Sequence, residues 1–141
     1  MSLQYRTLVA WERADDLFID LHRLTCQQFP RDEQYELGRQ IRRAAYSVPA
    51  NIVEGFAREH DRDRIKFFNI TSASLSEVTY GLHAAHRLGY LDKVAYRALD
   101  DRTRMIAAPL NGLIRSTKLK MMSAAGLKVL LFIGIVSQLL T

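Results

Sequence analysis

The sequence predicts an all-α protein, an up-and-down antiparallel four-helix bundle. Four segments carry apolar residues at spacings of three and four, and none sustains an alternation of period two. The intervals between these segments are only a few residues, which makes consecutive long helices antiparallel neighbours. Three prolines and seven glycines in 141 residues leave room for long uninterrupted elements. The length suits one domain, and a hydrophobic content of 48% suffices for a core.

The first helix repeats Leu8, Trp11, Ala14, Phe18, Leu21 and Thr25 along one face. Phe29-Pro30 closes it, because the residue before a proline is driven out of the helical region. The second helix is expected to begin at Asp32 or Glu33, acidic residues that suit a helix N-terminus, and to run to about Ala57. Leu37, Ile41, Ala45, Val48 and Ile52 form its apolar stripe; Glu36, Arg39, Arg43 and Glu54 lie opposite. Pro49 sits inside it, where a proline removes a backbone hydrogen bond and normally costs about 3 kcal/mol. Tertiary packing must offset that cost, so the bend is a required shape.

The third helix comes after the charged connection Arg58-Glu59-His60-Asp61. Its stripe is Ile65, Phe68, Ser72, Leu75, Val78 or Thr79, Leu82, and Ala85 or His86. Gly89 is placed for a left-handed C-terminal cap. Asp92 can cap the fourth helix, whose seam reads Leu99, Thr103, Ile106, Leu110, Leu113 and Thr117. Its regular spacing suits helices packed at a shallow angle. These elements make residues 1–118 a four-helix domain, with an apolar extension over 119–141.

Val129 to Val136 reads VLLFIGIV, and the apolar character persists to Leu140. A membrane span needs roughly 20 apolar residues, more than the chain has after Lys128. The tail is therefore expected to continue the fourth helix and bury itself against another subunit; membrane association is the less favoured reading.

Twenty Lys and Arg against fifteen Asp and Glu leave a net charge of +5, with arginine in excess. Such a balance favours anionic partners, and arginine forks suit phosphate and carboxylate. The single Cys26 excludes an internal disulfide and a cysteine-based zinc site, and points to a reducing, cytoplasmic compartment. MSLQYRTLVAWERADD has no apolar core of a secretory signal.

VAWERADDL, the Phe29-Pro30 break, Glu33 with Tyr35 and Leu37, and the block QIRRAAYSVPANIVEG at 40–55 form a linked set. Phe67-Phe68, Ser74-Leu75, Glu77, Leu88-Gly89-Tyr90-Leu91 and LNGLIRSTK complete it. On these features the stretch from Leu8 to Lys118 resembles the four-helix bundle family encoded in intervening sequences of bacterial 23S ribosomal RNA genes. The resemblance implies a ring-forming homo-oligomer, commonly a pentamer. Related bundles are accessory proteins of diversity-generating retroelements, where a basic ring binds a reverse transcriptase and RNA; for most members no activity is established. This chain departs from the family at Thr71-Ser72-Ala73-Ser74, where a basic residue is usual. It departs again at Pro109, which is expected to kink the fourth helix and redirect its C-terminal half, the apolar tail included.

Nothing in the chain composes a catalytic centre. His83 and His86 are three apart on one helix but lack a third and fourth ligand, so no metal or cofactor is expected. Cys26 has no basic neighbour in sequence and is expected to be a buried structural thiol. Pro49, Asn51, Glu54 and Gly55 are structural residues of the central block. Asn51 is expected to satisfy the Ala45 carbonyl freed by Pro49, and Glu54 to pair with Arg58.

The candidate nucleic-acid contacts are Arg58, Arg62, Arg64 and Lys66, with Arg42 and Arg43 behind them. Arg115, Lys118 and Lys120 form another group, expected at the opposite end of the bundle, so that no single basic patch is expected per monomer. The expectation is a non-catalytic, RNA- or ribonucleoprotein-associated accessory factor. Its rival is a structural or protein-interaction scaffold, tethered to a membrane by its tail.

Overall fold

A computed structural model describes residues 4–139. A short 3₁₀ turn, Gln4–Thr7, precedes α1 (Val9–Gln28), α2 (Leu37–Ala57), α3 (Asp61–Arg87) and α4 (Lys93–Leu139). No strand occurs among the described residues. The helices close in cyclic order, α1 against α2, α2 against α3, α3 against α4, and α4 back against α1. Cross-helix pairs set the directions. Arg42 meets Thr25 and Tyr46 meets Phe18 between α1 and α2. Ile41 lies at Gly81, Ser47 at Ser74, and Gly55 at Phe68 between α2 and α3. Rising numbers on one helix meet falling numbers on the next, so the bundle is antiparallel throughout.

Of the four expected stripes, those of α2, α3 and α4 lie on the axis, that of α3 through Phe68, Leu75, Val78, Leu82 and Ala85. Ile41, Ala45, Val48 and Ile52 are buried, as are Leu99, Thr103, Ile106, Leu110 and Thr117; Leu37 and Leu113 are half-buried. In α1 the buried line is Ala10, Ala14, Leu17, Leu21 and Thr25, turned from the expected one. Trp11 and Phe18 stand at its flank, where Phe18 meets Tyr46 of α2 edge-on at 5.6 Å and Trp11 meets Tyr5 of the 3₁₀ turn at 5.2 Å. On α3, Thr71 and Ser74 are buried and Ser72 only half-buried.

Small residues bring α2 and α3 together. A Cβ on Gly81 would stand 2.7 Å from Ile41 Cγ1, and one on Gly55 would stand 2.6 Å from Phe68 Cε1. Between these contacts Ser74 Oγ donates to Ser47 Oγ at 2.8 Å, and Asn51 Nδ2 reaches the same hydroxyl at 2.9 Å. Asn51 also donates to the Ser47 carbonyl at 2.8 Å. It therefore serves Ser47 and not the carbonyl of Ala45: an i→i−4 reach along the helix selects Ser47. The pairing of Glu54 with Arg58 is present.

The start of α2 differs from expectation. Residues 31–36 form turns, and the helix begins at Leu37. Side chains pin this segment: Gln34 Nε2 donates to the Phe29 carbonyl at 2.9 Å, and Arg42 Nη2 donates to the Gln34 carbonyl at 2.8 Å. At the other connection the sequence signals hold. Gly89 adopts φ +81, and Tyr90 N–H returns to the Ala85 carbonyl. Asp92 Oδ1 accepts the Ala95 N–H at 2.7 Å.

The helix α4 is 47 residues long and continues through Pro109 without a break. Proline at 109 cannot donate to the carbonyl of Met105. Arg13 Nη1 from α1 donates to that carbonyl instead, at 2.6 Å. Among the described residues Thr117 is the last buried one, and beyond it the helix leaves the bundle. Among the described residues no helix is long and apolar enough to cross a membrane. Leu140 and Thr141, part of the expected apolar tail, lie outside the described residues.

Candidate nucleic-acid interface

Antiparallel topology corrects the expected separation of the basic groups. With α2 running one way, α3 back and α4 returning, the α2–α3 connection and the exit of α4 share one end of the bundle. Between α3 and α4, Ser72 faces the level of Leu110 and Asn111 across a shared groove. Continuing that register places Arg62, Arg64 and Lys66 beside the turn of α4 that carries Arg115, Lys118 and Lys120. Seven cations, these six and Arg58, therefore crowd one end.

These cations are not equivalent. Arg58 pairs with Glu54, Arg64 with Asp61 at 3.0 Å, and Lys66 with Asp63 at 2.7 Å. The Lys66 hydrogen bond, aided by its charge, holds the Asp63 carboxyl below the usual carboxylate range. Arg64 Nε also donates to the Arg58 carbonyl at 2.9 Å, and the Arg58 guanidinium lies over the Phe67 ring at 4.7 Å. This connection is a braced platform. Arg62, Arg115, Lys118 and Lys120 are exposed and have no carboxylate partner among the described residues. They offer free charge, whereas the paired residues offer position.

Arg42 and Arg43 stand near the far end, at the beginning of α2. Arg43 is exposed and unpaired among the described residues. Arg42 is half-buried and clamps α1 to the turn, donating to Thr25 Oγ1 at 3.0 Å as well as to Gln34. Arg42→Gln is therefore expected to destabilise the protein by about 1.5–3 kcal/mol, seen in a chemical denaturation curve, because it removes charge-assisted hydrogen bonds. RNA affinity of the folded fraction should stay unchanged.

The remaining candidates have structural surroundings. The His86 ring stacks on Tyr96 at 4.7 Å, and its Nδ1 lies 3.0 Å from the Leu91 carbonyl. His83 meets the edge of the same tyrosine at 6.3 Å. No group of three or more His, Cys, Asp or Glu placed to hold a metal occurs among the described residues. Cys26 is exposed, contrary to expectation, because the buried line of α1 passes through Thr25 and the next residue turns away from it. Glu33 and Tyr90, from separate parts of the sequence pattern, meet at the end opposite the basic cluster. Desolvation and the hydrogen bond to Glu33 hold the Tyr90 phenol above its ordinary range.

The residues missing from the candidate set are Arg115, Lys118 and Lys120. Counting helices finds them: an even number of antiparallel passes returns α4 to the end where α2 finishes.

A family model described as "23S rRNA-intervening sequence protein" matches residues 6–112. Among solved structures, a protein of unknown function from the S23 ribosomal protein family of Bacteroides thetaiotaomicron superposes with a TM-score of 0.70. It is 22% identical, and the match covers 75% of this chain and 98% of that one. At that identity the likeness shows the fold. No curated protein matches.

Proposed function

The chain belongs to the 23S rRNA-intervening sequence protein family, and from that premise we propose a non-catalytic accessory factor that assembles into a ring, a pentamer, and holds RNA by its phosphate backbone. The observation that carries this reading is the convergence of Arg62, Arg115, Lys118 and Lys120, without carboxylate partners, beside the braced Arg58, Arg64 and Lys66. Guanidinium forks suit phosphate oxygens. Cyclic repetition turns one basic end into a basic face, where weak phosphate contacts reinforce one another through effective concentration. Phe67 is already covered by Arg58, so contact is to backbone and shape and not to stacked bases. The protein partner in such a ribonucleoprotein is a reverse transcriptase of a diversity-generating retroelement.

Light scattering with and without a structured RNA tests the proposal. A species of about five subunits should gain RNA mass and lose it as salt rises from about 50 to 200 mM. Replacing Arg62, Arg115, Lys118 and Lys120 together by glutamine should reduce the log–log salt slope by about 3 for each subunit that contacts the RNA. Undiminished RNA binding by that variant, or a ring indifferent to RNA, would overturn it.

The ion pairs of Arg58, Arg64 and Lys66 favour a second reading, a scaffold whose charges serve assembly. Under that reading the ring gains no RNA mass in low salt and loosens in high salt, where the charges that hold it are screened.

A further inference from the structure

We propose that the projecting segment of α4 docks on an anionic lipid surface. After Thr117 the helix touches nothing in the bundle that buries it: every residue from Lys118 to Ile133 is exposed except the half-buried Met121. Val129, Leu130, Leu131, Phe132 and Ile133 are each between 57% and 69% exposed. Five consecutive residues at 100° intervals point in every direction around a helix, so this segment is apolar on all sides. One neighbouring helix covers a single stripe. An all-round apolar helix is satisfied only by a surrounding apolar phase. The segment also lies beyond residues 6–112, which the family match covers.

Charge decides between a second copy and lipid. Arg115, Lys118, Lys120 and Lys128 line the approach to the apolar tip, and the chain has no Asp or Glu after Asp101. A parallel second copy of this segment would set cation against cation, an antiparallel one would lay Lys118 and Lys120 against the apolar tip, and neither supplies an acidic partner. Anionic headgroups supply the missing charge, and basic residues flanking an apolar helix sit at that boundary. Val129–Leu139 is about 16 Å long at 1.5 Å per residue, about half of the 30 Å hydrocarbon layer. The described helix therefore enters one leaflet and does not cross.

This contact goes beyond the RNA reading: it shares Arg115, Lys118 and Lys120 with the basic end but depends on the apolar tip, which that reading does not use. The monodisperse full chain is floated with phosphatidylcholine vesicles, with and without phosphatidylserine, at low and high salt. Flotation should require phosphatidylserine and weaken with salt. A Leu130→Asn, Phe132→Asn, Ile133→Asn variant should lose binding by about tenfold or more, with the thermal melt of the bundle and its RNA binding unchanged. Failure to float, equal flotation on pure phosphatidylcholine, or undiminished binding by the variant would each overturn the proposal. So would a fall in solution mass in the variant without vesicle binding by the parent chain, since a second copy would then cover the segment.

Discussion

Phe68→Ala is expected to lower the unfolding free energy by about 3–5 kcal/mol, the usual cost of emptying a buried aromatic site. Phe68 is 1% exposed, packs against Phe56 at a ring separation of 5.7 Å, and fills the space left by the missing side chain of Gly55. The smaller partner substitution should act through the same contact. A Cβ on Gly55 would lie 2.6 Å from one ring carbon and 3.0 Å from the next, and the ring has no flexible end to move aside. Gly55→Ala gains about 0.5–1 kcal/mol of helix propensity, against about 1–3 kcal/mol for overpacking, so a net loss is expected. In a Phe68→Leu background that loss should shrink, because the ring edge is gone. Urea denaturation of the single and double variants measures the coupling. Additive losses would show that Gly55 is not limited by Phe68.

Pro109→Ala is expected to do the opposite and stabilise the protein by up to about 3 kcal/mol, the penalty of proline in a helix interior. The restored N–H would donate to the Met105 carbonyl, now served by Arg13 from α1. Arg13→Ala should therefore cost about 0.5–1.5 kcal/mol in the parent and almost nothing alongside Pro109→Ala. Thermal unfolding of the four proteins in this cycle tests it. Equal cost of Arg13→Ala in both backgrounds would mean that Arg13 acts through something other than the freed carbonyl. Pro49 should not respond in the same way. It is buried in α2, whereas Pro109 is half-buried, so removing its ring also leaves a void in the packing.

The basic end shows where sequence reasoning needs topology. Arg58, Arg62, Arg64 and Lys66 are legible as a cluster because they are close in the chain. Their meeting with Arg115, Lys118 and Lys120 is a property of helix count, which local periodicity does not contain. Arg42 looks like Arg43 in sequence, yet its guanidinium is drawn between Thr25 and Gln34 while its neighbour faces solvent. Thr25 is buried and Cys26 exposed for the same kind of reason: a step of one residue turns a side chain by 100°.

By itself, then, the sequence determined the four helices, the proline inside α2, the caps at Gly89 and Asp92, and the apolar run beyond Lys128. Each depends on spacing, backbone chemistry or capping within a few residues. Only the tertiary structure decided which face of α1 is buried, that Gly55 and Gly81 admit Phe68 and Ile41, and that Arg13 completes α4 at Met105. Those outcomes join residues far apart in the chain. They arise from the space and hydrogen-bond partners that one helix offers another, which no single segment specifies.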